Sequence, residues 1–292
     1  MAFLRSKNIS VDRLKRLRPA GSRCDEFHLS VPSTLDLKAL RKDIYTISKS
    51  HRVDVALQPS SVFRRQRRVA VFDMDSTLIR QEVIDEIARK TGVVDQVAKI
   101  TEAAMNGEID FKESLRRRVA LLKGTSATVF EEVRKELVFT DGAKELCACL
   151  KRLGFRTAVI SGGFVPLAKY VKYYLGLDYA FANTLAVSED GKVLTGEVVG
   201  DIVDAERKAQ LLEVISQAEE VTLDQVIAVG DGANDLPMLG KAGLGIAFNA
   251  KPRVQEQAAT RINQPNLLNV LYLLGYSDEE VNQLIQSVKR YD

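Results

Sequence analysis

Four short apolar runs most constrain what this chain can fold into: VAVFD at 69–73, FRTAVI at 155–160, VIAVG at 226–230 and LGIAF at 244–248. Each is rich in β-branched residues, bounded by Gly or Asp, and separated from the next by helical patterning. Strands that are apolar on both faces need cover on both faces, so the pattern predicts a parallel sheet sandwiched by helices, a doubly wound α/β domain.

The spacing between these runs sets the domain organisation. Some eighty residues of helical pattern separate the first run from the second, with Val83, Ile84, Ile87, Ala88, Val94, Val97, Ala98, Leu115, Val119 and Leu122 on the apolar faces. Turn signals at Thr91-Gly92, Asn106-Gly107 and Lys123-Gly124 cut it into several helices. That is too much for a simple crossover, and it predicts an inserted helical cap over 81–139, with the core formed by 67–80 and 140–276. Residues 179–199 suit a hairpin at the sheet edge, broken by Glu189-Asp190-Gly191. Ser277 and Glu280 form a capping-box pattern that opens a last helix over 277–292. A composition shift near Gln66 marks off an N-terminal α+β region, 1–66. There, alternation at Phe27 to Val31, a helical pattern at Leu35, Leu37, Leu40, Ile44 and Ile47, and alternation at Val53, Val55 and Leu57 read as strand, helix, strand. This unit resembles half of an ACT module. The basic cluster Arg64, Arg65, Arg67 and Arg68 is expected to solvate the connection that follows.

Composition removes several kinds of chemistry. Lys and Arg number 42 against 39 Asp and Glu, and a net charge of +3 does not call for a nucleic-acid partner. Cys24, Cys147 and Cys149 make an odd count, with the last two diverging on one helix, so no disulfide framework is expected. His28 and His51 are the only histidines, which leaves little for zinc or for a Ser-His-Asp triad. No apolar stretch reaches a membrane span, and the opening lacks the apolar core of a secretory signal, so a cytoplasmic location is expected; its basic, leucine-spaced character leaves organellar targeting as the alternative, which the early Asp12 weakens.

What remains is carboxylate chemistry. Asp73-Met74-Asp75-Ser76-Thr77 follows the first buried strand directly. Residues i and i+2 of an extended segment face one side, and open α/β sheets bind ligands beyond the carboxyl ends of their strands, so two acids meet one cleft. Gly230-Asp231-Gly232-Ala233-Asn234-Asp235 brings two more acids to the same edge. Four acids there repel each other unless a cation sits among them, and an all-oxygen set beside phosphate suits Mg²⁺. Taken singly, Asp231 and Asp235 could be turn and cap residues. Ser161-Gly162-Gly163 ends another strand with close backbone N–H groups and a hydroxyl, and Lys208 lies early in a helix, where it could meet either an anion or solvent.

In this order, the Asp73 to Thr77 run, Ser161-Gly162-Gly163, Lys208 and the Gly230 to Asp235 run resemble the four motifs of the haloacid dehalogenase superfamily. Residues 69–276, including Glu82 to Ile87 and Phe111 to Val119, are similar to its phosphoserine phosphatase family. The resemblance implies a Rossmann-like core hydrolysing O-phospho-L-serine, the last step of serine synthesis. It implies Asp73 as nucleophile and Asp75 as general acid and base. Mg²⁺ would be held by Asp73, the Asp75 carbonyl and Asp231, with Asp235 in support. Ser161, Gly162, Lys208 and Asn234 would bind the phosphoryl group, Glu82 and Arg118 the ammonium and carboxylate of the substrate, and Met105 and Phe111 would close over it. A phosphotransferase passing the group to homoserine and a non-catalytic serine sensor are the competing readings, and a homodimer is left open.

Overall fold

Alternate residues of the strand Val69–Phe72 serve two different cores: Ala70 and Phe72 enter one apolar cluster, Val69 and Val71 the other, and all four are fully buried. Covering both faces is what a strand without polar alternation demands. The computed structural model describes residues 2–19 and 23–289. Along the chain run α1 (Ala2–Ser6), β1 (Ser10–Arg18), β2 (Cys24–Ser30), α2 (Leu37–His51), β3 (Val69–Phe72), α3 (Val83–Thr91), α4 (Val94–Met105), α5 (Phe111–Ala120), α6 (Val129–Glu136) and α7 (Ala143–Arg152). Then come β4 (Arg156–Phe164), α8 (Val165–Leu175), β5 (Tyr179–Val187), β6 (Leu194–Val199), α9 (Ala205–Ala218), β7 (Val226–Gly230) and α10 (Leu236–Lys241). The chain closes with β8 (Leu244–Phe248), α11 (Pro252–Gln257), β9 (Thr260–Ile262), α12 (Asn269–Leu273) and α13 (Asp278–Lys289).

The main sheet has the order β6-β5-β4-β3-β7-β8-β9, parallel except for β6, which pairs antiparallel with β5. From β3 the chain first builds outward through β4 and β5, then returns to build the other way through β7, β8 and β9. The order therefore reverses at β3, the kind of switch point where ligands bind beyond the strand ends. In register, Phe72 stands beside Val159 of β4 and Val229 of β7, so the residues following all three strands emerge at one edge. Helices α7, α8, α12 and α13 pack on one face; α9, α10 and α11 cover the other.

Five α-helices, α3 to α7, lie between β3 and β4, and the first four, α3 to α6, form the inserted segment. Their entry and exit strands pair: Ile79 bridges Phe139, and Arg80 N donates to Val138 O at 2.9 Å. The Gln81 amide tightens this neck, donating to Glu136 O and accepting from Val138 N. A second fastening joins the cap to the edge hairpin, where Gly124 N donates to Leu194 O and Ala127 N to Lys192 O.

Two expectations fail in the N-terminal region. Residues 53–57 form no strand; Val55 and Leu57 pack on the α2 core while the Asp54 carboxylate accepts from Asn263 N and Nδ2, both at 2.8 Å. The basic opening instead contributes β1, antiparallel to β2. The arginine cluster is not a solvated connection either. Arg67 is buried and donates to Asp224 O, Val226 O and Gly243 O. Arg64 pairs with Glu26 and donates to Leu273 O, while Arg65 grips both oxygens of Glu280 and covers the Tyr276 ring. The guanidinium's rigid fork of donors suits capping carbonyls that the sheet leaves exposed at its end. The capping box at Ser277 forms in both directions, and all three cysteines are free. Among the described residues no helix is long and apolar enough to cross a membrane.

Burial lowers the Arg67 pKa to about 10, with Asp224 opposing that effect, so the residue stays charged at neutral pH. Replacing Arg67 with Met leaves buried carbonyls without donors, and thermal or urea unfolding should register a loss of about 2–3 kcal/mol.

Candidate active site

Lys208 is completely buried, and its ammonium lies 2.8 Å from Asp73 Oδ1 and 2.7 Å from Asp235 Oδ1. A cation can be buried this deeply only when paired and hydrogen-bonded. Burial by itself would depress its pKa, but Asp235 and Asp73 outweigh burial and raise it. The lysine reaches this point from the first turn of α9, whose start is capped by Asp204 Oδ1 accepting from Arg207 N at 2.8 Å.

Asp73 ends β3. Its backbone N–H continues the sheet ladder to Val229 O, and its carboxylate also accepts from Met74 N at 2.7 Å. After it the chain turns tightly through Met74–Leu78, with Ser76 at φ 54°. This turn holds Asp75 beside Asp73 with Oδ1 buried and unpartnered. Burial raises both carboxyl pKa values well above the usual range, reinforced by Asp235 at Asp73 and by Glu82 and Asp73 at Asp75.

The β7 edge supplies Asp231 and Asp235. Asp235 Oδ2 accepts from Gly232 N at 2.9 Å, folding its side chain back over Gly230, where a Cβ would lie 2.4 Å from Asp235 Cγ. Only glycine fits there. Asp231 accepts from the Thr77 hydroxyl at 3.3 Å, and burial followed by Asp235 and Glu82 raises its pKa to about 7. Carboxylate oxygens of Asp73, Asp231 and Asp235 lie within 4.8 Å of one another. This all-oxygen, mutually repelling set fits a hard divalent cation, which would relieve the charge that now lifts these pKa values.

At the end of β4, Ser161 is buried with Oγ accepting from Gly163 N at 2.8 Å, and Phe111 of the cap leans over Gly162, where a Cβ would meet Phe111 Cζ at 3.1 Å. Asn234 folds against Gly232 on the β7 side of the same edge. Glu82 sits where the chain enters α3 and accepts from Ser76 Oγ at 2.8 Å. Its outer side meets solvent, yet the protein around the carboxyl still raises its pKa by desolvation, with Ser76 opposing. Desolvation lowers the pKa of Arg118, which faces the charges of Asp85, Glu82 and Asp75. Met105 stands apart from this convergence in one respect: at the end of α4 it is 62% exposed.

These observations span β3 to α10, and the sequence pattern of the haloacid dehalogenase-like hydrolases matches residues 70–240. The chain belongs to that family. Among relatives of this hydrolase, the "Probable phosphoserine phosphatase" of Schizosaccharomyces pombe is 53% identical over 82% of this chain and 81% of its own. The phosphoserine phosphatase of Saccharomyces cerevisiae is 42% identical over 94% of this chain and 89% of its own. A solved structure titled as a phospho-aspartyl intermediate analogue of phosphoserine phosphatase is 46% identical and matches with a TM-score of 0.66, covering 70% of this chain and 98% of that one.

Sequence reasoning passed over two side chains that organise this hydrolase's site. Thr77 supports Asp231, as described. Asn183, buried in β5, donates from Nδ2 to Gly162 O and accepts from Val203 N, both at 2.8 Å, tying the Ser161 loop to the approach of α9. An asparagine inside an otherwise apolar strand was the available signal.

The raised Asp231 pKa carries a stability consequence. Between about pH 4 and pH 7 the unfolded chain gives up a proton that folded Asp231 retains, so the metal-free protein loses stability as pH rises through this window. In EDTA, Asp231→Asn should therefore be more stable than the parent at pH 8 by about 2–4 kcal/mol, with the difference vanishing near pH 4 in thermal melts.

Proposed function

We propose that this chain hydrolyses O-phospho-L-serine to L-serine and phosphate, with Asp73 as the nucleophile. The observation that carries the reading is a buried carboxylate at the end of the central strand, aligned by Lys208 and Met74 N, with a second, protonation-prone carboxyl two residues on. A carboxylate can attack phosphorus in line and then leave as an acyl phosphate that water cleaves. In the first half-reaction the P–O bond to the seryl oxygen breaks as the Asp73–phosphorus bond forms. Asp75, whose carboxyl pKa burial and Glu82 raise, would give a proton to the departing oxygen. In the second, the Asp75 carboxylate takes a proton from the attacking water, and Asp73 is released with inorganic phosphate.

Asp73, the Asp75 main-chain carbonyl and Asp231 are the residues that would hold Mg²⁺, with Asp235 steadying them through Lys208 and Gly232 N. When bound, the ion supplies charge neutralisation to the transferring phosphoryl oxygens. Lys208, the Ser161 hydroxyl, the Gly162 backbone and Asn234 are the groups that would bind those oxygens. Glu82 and Arg118 present one negative and one positive group at the cap side of the cleft, which matches the ammonium and carboxylate of an amino acid. Phe111 covers the phosphoryl loop and excludes water there, and Met105 is the cap residue available to close from the rim.

Phosphate release from phosphoserine, with Mg²⁺ present and no acceptor alcohol, tests the reading, and a chain that releases none is not a phosphoserine hydrolase. Asp73→Asn should retain the fold by circular dichroism and lose more than about 10³-fold in kcat, since the amide is neither nucleophile nor anion.

Recognition should separate from chemistry. Arg118→Ala should cost about 2–5 kcal/mol in kcat/KM for phosphoserine, because it strands a substrate carboxylate in a closing pocket. The same change should leave kcat/KM for an aryl phosphate nearly unaltered, since that substrate lacks the carboxylate.

A further inference from the structure

The cap and the phosphoryl-binding helix meet at an ion pair outside all the roles assigned above: Lys112 Nζ lies 3.1 Å from Asp204 Oδ2. Each partner is the neighbour of something functional. Lys112 follows Phe111, whose ring covers Gly162, in the first turn of α5, the helix that also carries Arg118. Asp204 caps α9 with its other carboxylate oxygen, and its carbonyl accepts from Lys208 N at 2.9 Å. The preceding residue, Val203, donates to Asn183 Oδ1, and Asn183 donates to Gly162 O. A continuous polar chain thus runs from the cap through Lys112, Asp204, Val203 and Asn183 to the Gly162 loop, with Lys208 branching from its middle. The hydrogen bonds hold the core members at fixed spacing, and Lys112 is the one charged link that crosses between cap and core along this chain.

We infer that Lys112 and Asp204 are positioning residues that register the closed cap on the core, so that Phe111 and Arg118 come to rest over a phosphoryl site already aligned by the same chain. The inference rests on the phosphatase reading above. Because Lys112 is 51% exposed, the pair is screened and contributes modestly, enough to bias closure but not enough to prevent release of serine. Its influence belongs on substrate capture and not on the chemical step, since neither side chain touches the reacting atoms.

Lys112→Met should raise KM for phosphoserine about two- to fivefold with kcat unchanged. Lys112→Arg should restore it. Asp204→Asn, which keeps a good helix cap, should match Lys112→Met, and the double variant should be no worse than either single one. Raising ionic strength to about 0.5 M should bring parent and Lys112→Met together. Amide hydrogen exchange over residues 106–118 should be faster in Lys112→Met without any substrate, a readout that stands whether or not phosphoserine is turned over. Additive effects, a matching fall in kcat, failure of Arg to restore KM, a difference that survives high salt, or unchanged exchange would each overturn the latch. A parent protein that shows the exchange difference but no phosphoserine hydrolysis would overturn the functional reading instead.

Discussion

The buried ammonium of Lys208 is the interaction on which the rest of this structure depends. It lies between Asp73 at the end of β3 and Asp235 after β7, so it joins the two strands at the point where the sheet order reverses. A fully desolvated cation would be untenable alone, and two carboxylates at hydrogen-bonding distance would be untenable without it. One positive charge nevertheless serves four acids, and the remaining imbalance is visible in the upward pKa shifts of Asp73, Asp75 and Asp231. In a site so built, burial, Glu82 and Asp73 push the Asp75 carboxyl well above the usual carboxylate range, and the clustered acids suit a divalent cation.

Around that centre, the fold supplies rigidity through backbone geometry. Asp73 takes part in the sheet ladder, the tight turn after it presents Asp75 and Thr77, and the glycines at 230 and 162 leave room for a carboxylate and an aromatic ring respectively. The cap behaves differently. It is attached by a paired neck at Ile79 and Phe139, by hydrogen bonds to the edge hairpin, and by side chains that reach the core. Its contacts to the site include the Phe111 ring on Gly162, Val83 against Gly163, the Ser76–Glu82 hydrogen bond and the half-exposed Lys112–Asp204 pair. The acids of the site thus follow strand ends, while Glu82, Phe111 and Arg118 come from the cap.

Much of this was legible before any coordinates. The four apolar runs called for a doubly wound sheet, and β3, β4, β7 and β8 lie on them; Asp73, Asp75, Asp231 and Asp235 followed from their positions just beyond strand ends. What escaped was non-local. Lys208 was legible as a motif lysine, but its ion pairs with Asp73 and Asp235 were not, because nothing in the sequence around it records that α9 delivers it into the β3 and β7 crevice. Asn183 and Thr77 act through partners 20 and 154 residues away. The arginines at 64, 65 and 67 looked solvated for the same reason: their acceptors are carbonyls at positions such as Leu273, Gly275 and Asp224. Residues 53–57 alternated as a strand does, but alternation specifies a face to bury and not the presence of a neighbouring edge.

By itself, then, the sequence determined the layered α/β architecture, the carboxylate character of the site and the strand ends that carry it, because hydrophobic periodicity and the geometry of extended chain are local properties. Only the tertiary structure decided which acids flank Lys208, which carboxyl groups have raised pKa values, and where the cap meets the core. Those depend on burial and on distances between segments far apart in the chain, and a charge acquires its meaning only from what surrounds it.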